Sequence, residues 1–240
     1  MVEPKSSRQK SKTQDQHIYE EIFDAILEQR LWPGTRLKEE SLGEIFGVSR
    51  TIIRRTLSRL AHERVAVFEP NRGAFVAEPD VSDARQILDA RRLMELAIVE
   101  RVAARASSIR GEFKKLYDLI EQEHKSSAAA DKGTAIRLSG EFHLELARLS
   151  GNKPLEDFLR SLVPQTSLII ALYQSKEGSS CAIDEHSRLL DALKLGDAPE
   201  AKRLMGEHLD HIEERLALDG SPGNRNLAKV FGRQVEKTGA

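Results

Sequence analysis

A chain of 240 residues, 40% of them apolar, is long enough to bury a sizeable core, either as one large domain or as two of ordinary size. It contains no apolar run long enough for a membrane helix, its opening "MVEPKSSRQKSKTQDQ" has no apolar core of a secretory signal, and its one cysteine, Cys181, excludes an internal disulfide framework, so a soluble cytoplasmic protein is expected. The net charge of −1 conceals an uneven distribution: Gly47 to Val76 holds six arginines against two acids, a net of +4, whereas residues 81–219 hold 20 basic and 24 acidic residues, a net of −4, which suggests two units with different partners.

Residues 1–16 are polar, basic and aperiodic and read as a disordered tail. A first helix is predicted from about His17 to Leu31, with Ile18, Ile22, Ile26 and Leu27 at helical spacing, and Trp32-Pro33-Gly34-Thr35 breaks it. A second helix over Glu39–Phe46 turns Leu42, Ile45 and Phe46 inward, and Gly47 ends it. Ser49 is the expected N-cap of a third helix at 50–63, which buries Ile53, Leu57 and Leu60 and leaves Arg50, Thr51, Arg54, Arg55 and Ser58 on its remaining surface. The runs "VAVFEP" and "AFVAEP", joined by Asn71-Arg72-Gly73, predict a β-hairpin with a tight basic tip.

Ala77 to Asp80 reads as a linker, with Asp80 or Ser82 capping the next helix. From there the signal is helical, with helices near 81–106, 110–129, 133–149, 153–175, 181–195 and 198–218. Gly151-Asn152 stops one helix and Pro154 opens the next. Gly196 stops another, and Asp197-Ala198-Pro199-Glu200 restarts it as a capping box. Residues 220–240 read as a flexible tail. The expected fold is mainly α: a winged helix-turn-helix of three helices and a β-hairpin at 17–78, then an all-α bundle at 79–219.

In a winged helix-turn-helix the third helix projects into a DNA major groove. Arginine suits that helix because its planar fork binds guanine O6 and N7 together, while other arginines hold phosphate. Arg50 stands at the helix N-terminus, where side chains reach base edges, Arg54 follows one turn on, and Arg72 at the hairpin tip reaches phosphate or the minor groove. An ordinary solvated helix face is the alternative, and the acid-free stretch from Gly47 to Ala61 weighs against it.

The segment "PGTRLKEESLGEIFGVSRTIIRRTLSRLAHERVAVFEPNRGAFVAEP" resembles the DNA-binding domain of the GntR family of bacterial transcription regulators. The resemblance rests on Pro33, Gly34, Leu37, the Val48-Ser49-Arg50 turn, Arg54, Arg72 and Gly73 in combination. It implies that Arg50 and Arg54 contact operator DNA, helped by the wing at Arg72 and Gly73. Two positions depart from the family pattern. Arg55-Thr56 replaces the usual glutamate-alanine, and Glu40 stands where some relatives carry a DNA-contacting arginine.

In the helical unit, His143 shares a face with Ile136, Ser139 and Leu146. His186 falls in the stripe Ile183, His186, Leu190, Leu193, and His208 in the stripe Leu204, His208, Ile212. Three helices thus each turn one histidine toward apolar surroundings. A buried imidazole without a partner is costly, and one divalent cation, with zinc or nickel the leading candidates, satisfies all three. For any one of them alone, a hydrogen-bonded core histidine is the simpler assignment. His211, one turn beyond His208, is a rival ligand on the flank of that face.

This arrangement resembles the FCD effector domain of FadR-like regulators, on "RRLME" (Arg91 to Glu95), Phe142-His143, Gly151-Asn152, Glu185-His186, Gly196-Asp197 and His208-Leu209. In metal-binding members an aspartate and a histidine four residues apart join two later histidines. The histidine positions correspond to His143, His186 and His208, and the aspartate position is Ser139. A neutral serine is a poor ligand and opens a coordination position for water or an effector carboxylate. A metal-free pocket in which the histidines meet an anion directly is the other possibility.

The resemblance also implies a small carboxylate or sugar-acid effector. Arg91 and Arg92 are candidates to meet it, against the alternative of surface ion pairs with Asp89 or Glu95, and Ser139 and Ser167 are further lining candidates. The expected protein is therefore a homodimeric regulator, a repressor, bound to a two-fold operator and released by a small organic acid. The alternatives are a metal-dependent enzyme on the same histidines and a regulator that responds to the metal itself. Hydrolysis needs a carboxylate base beside the metal, but Glu185 and Glu207 each precede a histidine by one residue, which turns them about 100° away on a helix. There is also no HExxH, phosphate loop or nucleophile elbow, and no enzymatic activity is expected.

Overall fold

The computed structural model describes residues 14–174 and 182–218. Cys181 and the tail at 220–240 lie outside the described residues, as does the side chain of Ile183. Helix α1 runs over Gln14–Leu27, starting earlier and ending earlier than its apolar spacing predicts. Gln14 to Gln16 therefore belong to a helix and not to a tail. Gln16 reaches Glu20 one turn on (2.9 Å) and receives Arg59 (2.6 Å), which fixes the first turn. The face Ile18, Ile22, Ile26 and Leu27 is buried as expected, together with Tyr19 and Phe23.

Strand β1, Arg36–Leu37, follows the Gly34 turn and pairs antiparallel with β3, so that the sheet order is β1-β3-β2. A two-residue strand carries no alternation and left no signal in the sequence. Helix α2 is Glu39–Phe46, and Gly47 ends it in the left-handed region at φ 64°. Leu42 and Phe46 pack on the core, but Ile45 is 73% exposed, because α2 packs chiefly on α3 and buries only one narrow stripe. Helix α3, Arg50–His62, buries Ile53, Leu57 and Leu60, with Thr56 tied back to the Ile52 carbonyl. Ser49 occupies the N-cap position, but its hydroxyl makes no capping bond. Strands β2 (Ala66–Glu69) and β3 (Gly73–Val76) form the hairpin, and its tip needs the positive φ of Asn71 (60°) and Gly73 (95°).

Helix α4, Val81–Arg105, opens on a reciprocal cap between Asp80 and Asp83, so Asp80 and not Ser82 starts it. Around α4 pack α6 (Lys132–Leu149), α7 (Lys153–Tyr173), α8 (Ala182–Leu195) and α9 (Ala198–Glu214), with α5 (Phe113–Ala128) against α6 and α8. The expected start of α5 at 110 is a 3-10 turn, Arg110–Glu112. Asn152 caps α7 from Leu155 N, with Pro154 in the first turn. Asp197 caps α9 from Glu200 N, but the Glu200 carboxylate turns to Arg203 instead of completing the box. Helix α9 ends at Glu214, short of the expected 218. Leu216 and Leu218 instead pack on Tyr173, Ala84 and Leu88, and Ala217 N donates to the Tyr173 carbonyl (2.9 Å).

The winged helix-turn-helix and the bundle share one hydrophobic cluster through α1. One side of α1 packs on α3, where the Tyr19 hydroxyl donates to Glu63 and Arg59 lies over the Tyr19 ring. The other side meets α6 and α7.

Candidate metal centre and DNA-reading face

The periodicity that hides apolar side chains also hides three imidazoles. His143 lies in α6 beside the buried Phe142, Leu146 and Ala147; His186 in α8 beside Leu189, Leu190 and Leu193; His208 in α9 beside Leu204, Met205 and Leu209. Their exposures are 1%, 0% and 2%. One ring nitrogen from each lies within 4.8 Å of the others, and the His143 and His208 Nε2 atoms stand 3.2 Å apart. The Phe142 ring stacks on His186 at 4.3 Å between centroids and closes one side of the cluster.

Each outer nitrogen, Nδ1, faces a carboxylate from a different helix. His143 donates to Glu95 of α4, His186 to Glu123 of α5 (2.9 Å) and His208 to Glu185 of α8 (2.8 Å). Arg91, one turn before Glu95 and itself 4% exposed, donates to the other Glu95 oxygen. Burial alone would raise the Glu95 carboxyl, but Arg91 and His143 together hold it well below the ordinary range. Burial presses the His143 imidazole down to about 4 and that of His208 to about 3, which keeps both neutral at physiological pH. With each Nδ1 beside a carboxylate, the Nε2 atoms of the three rings face inward, those of His143 and His208 at hydrogen-bonding distance from each other. His186 Nε2 is the one fully buried side-chain nitrogen or oxygen without a hydrogen-bond partner among the described residues.

Three converging lone pairs backed by carboxylates are the donor set of a transition-metal site, in which the outer hydrogen bond fixes tautomer and ring orientation. The charges agree with this: Glu95, Glu123 and Glu185 outnumber Arg91 by two around the rings, an excess of acid that one divalent cation would balance. The residues therefore fit such an ion.

Neither Glu123 nor Glu185 is among the site residues expected from sequence. Glu123 was legible as an acid in the apolar stripe Leu116, Leu119, Ile120 of α5. Glu185 does point away from the His186 face, but toward α9, where it receives both His208 and the half-exposed His211 (2.7 Å). His211 is thereby held outside the cluster. The remaining residues expected at the effector site fall in different places. Arg91 lies in the shell behind His143, whereas Arg92, one residue around α4, pairs with Asp210 near the surface. Ser139 is half-buried one turn before His143. Ser167 is buried in α7, and its carbonyl accepts Gln29 Nε2 (3.3 Å) at the contact with the N-terminal unit.

At the other end of the molecule, Arg50, Thr51, Arg54 and Arg55 lie exposed along one side of α3, with Arg72 and Gly73 exposed at the hairpin tip. Each of the four arginines has a carboxylate beside it: Glu40 with Arg50 (2.5 Å), Glu39 with Arg54 (3.9 Å), Asp15 with Arg55 (4.0 Å) and Glu69 with Arg72.

Residues 14–76 match the gntR family of bacterial regulatory proteins, and residues 86–211 match the FCD domain. The chain is 27% identical over 232 residues to the Uxu operon transcriptional regulator of Escherichia coli K12, covering 86% of this chain and 90% of that one. It is 25% identical over 209 residues to the HTH-type transcriptional regulator LutR of Bacillus subtilis 168, covering 78% and 94%. Among solved structures, E. coli McbR/YncC superposes with a TM-score of 0.74 at 19% identity, over 85% of this chain and 97% of that one. A GntR transcriptional regulator from Rhodococcus sp. RHA1 gives 0.70 at 22% identity, with the same coverage. Among the described residues no helix is long and apolar enough to cross a membrane.

Proposed function

The chain belongs to the GntR family of bacterial transcription regulators, in the FadR-like branch with an FCD domain, and we propose that it is a homodimeric, cytoplasmic repressor whose hold on operator DNA is set by a small organic carboxylate in the helical domain. Arg50, Thr51, Arg54, Arg55, Arg72 and Gly73 form the DNA-reading face. His143, His186 and His208 would hold a divalent cation, zinc or nickel, and the observation that carries this reading is the convergence of three buried imidazole nitrogens, with His186 Nε2 left without a hydrogen-bond partner. A cation held by these three residues would supply a Lewis-acidic point for an anionic ligand. Ser139 leaves a position open, and Arg91 contributes positive charge behind it. Arg92 and Ser167, which face elsewhere, take lesser parts. Each carboxylate of this shell is turned to an outer Nδ1, and among the described residues none stands beside the inner nitrogens as a general base, which favours a site that binds.

Helix α6 links this site to the DNA-reading unit. It carries His143, and nearer its N-terminus Arg137 donates to Glu28 just beyond α1 (2.8 Å). Gly133 lies so close under the Glu28 carbonyl that a Cβ there would stand 2.7 Å from the oxygen, whereas a Cβ on Gly140 would crowd Val163 of α7 at 3.0 Å and stand in ordinary contact with Leu27 at 3.6 Å. A shift of α6 therefore moves α1, and α1 moves α3. Ligand controls DNA only by binding the free and DNA-bound arrangements unequally. The test is His186→Ala, titrated on a duplex selected from a random pool, with a panel of mono- and dicarboxylates added. The variant binds DNA as wild type does but no carboxylate releases it. Normal release would remove His186 from the site.

A further inference from the structure

The stretch from Gly47 to Val76 is basic in sequence, but the fold surrounds it with acids from elsewhere. Over residues 14–78 there are nine arginines and lysines against eleven aspartates and glutamates, a net of −2. Residues 14–78 thus carry no excess of positive charge, and the counterion release they offer comes only from the arginines that meet phosphate. Discrimination must then come from geometry at the arginines themselves. The Arg50–Glu40 pair is the closest of the contacts at the N-terminal end of α3, and both side chains are about two-thirds exposed, at 65% and 68%.

We infer that Glu40 is a specificity-determining residue of the DNA-reading face, acting with Arg50 as one reader of a G·C pair. In the free chain its carboxylate accepts one N–H of the Arg50 guanidinium. A surface pair of this kind is weak, so DNA can displace it. Where Arg50 meets a phosphate, the displaced carboxylate is left beside negative charge with nothing to accept from. Where Arg50 meets guanine O6 and N7, the cytosine N4 amino group of the same pair stands beside them in the major groove as a donor for Glu40. The carboxylate thus penalises phosphate and tolerates G·C, which raises the ratio of specific to non-specific binding.

The test uses the full chain and two duplexes, one of mixed sequence and one selected by the wild-type protein from a random pool, titrated by fluorescence anisotropy at low salt, where surface charges are least screened. Glu40→Gln should bind the mixed duplex about three- to fivefold more tightly, the range of a surface charge pair. It should gain nothing, or lose affinity, on the selected duplex, and a fresh selection should show a weakened G·C preference at the Arg50 position. Glu44→Gln, an exposed acid on the same helix with no arginine of α3 beside it, is the control and should change neither affinity. The inference is overturned if Glu40→Gln leaves mixed-sequence binding unchanged, if both duplexes tighten equally, or if Glu44→Gln behaves as Glu40→Gln does.

Discussion

Arg91 and Arg92 are adjacent in sequence and part by about 100° on α4. One lies behind His143 with Glu95, and the other pairs near the surface with Asp210. Periodicity placed the three histidines on buried faces because each sits in its own helix's apolar stripe. It could not choose between two neighbouring arginines, nor pair Glu185 with α9, because those contacts depend on how neighbouring helices are rotated against one another. Glu123 is the sharpest test of the outer shell. Glu123→Gln keeps an acceptor for the His186 Nδ1–H but removes the charge, and metal affinity should fall about ten- to hundredfold while the metal-free protein melts as before. A competition titration against a chromophoric chelator reads this directly, and an unchanged affinity would make Glu123 a packing residue only. On the DNA side, Arg54→Ala should weaken binding to the selected duplex by about 1–3 kcal/mol, measured by anisotropy. No loss would remove α3 from the groove.

At the scale of elements, most starts and stops were legible from capping chemistry. Asp80 and Asp197 each accept the backbone N–H that their position in sequence predicts, and Asn152, read from sequence only as a helix stop, caps α7. Ser49 stands in the right place without making its bond, and β1 left no trace in the sequence because its pairing comes entirely from β3. Asp80→Ala removes a reciprocal cap at the junction of the two units and should cost about 1 kcal/mol in urea unfolding. A cost near zero would mean that packing alone fixes the start of α4. The α6 to α1 contact is a tertiary feature that no local pattern announces, although Gly133 marks its close approach at Glu28. Hydrogen exchange examines it. Zinc loading should slow exchange in α6 and in the last turn of α1, and in Arg137→Ala the slowing should persist in α6 and vanish from α1. Protection confined to α6 in the wild-type protein would deny the link.

For the whole molecule, the sequence pointed correctly to a winged helix-turn-helix followed by a helical domain, because hydrophobic period and turn chemistry agree along nearly the whole chain. The charge of Gly47 to Val76 is basic as counted, and folding adds Asp15, Glu39 and Glu40 beside its arginines. The histidine cluster is a property of the whole fold. Five helices, α4, α5, α6, α8 and α9, each contribute an imidazole, a carboxylate or both, and no one of them shows the site alone. Its occupancy is best tested by elemental analysis of protein purified without a metal-affinity step, beside the His143→Ala/His186→Ala double variant. About one divalent metal per chain in the wild-type protein, lost in the variant, is the expected result. Metal absent from both, with the wild-type protein unable to take up zinc or nickel when offered, would contradict the metal centre.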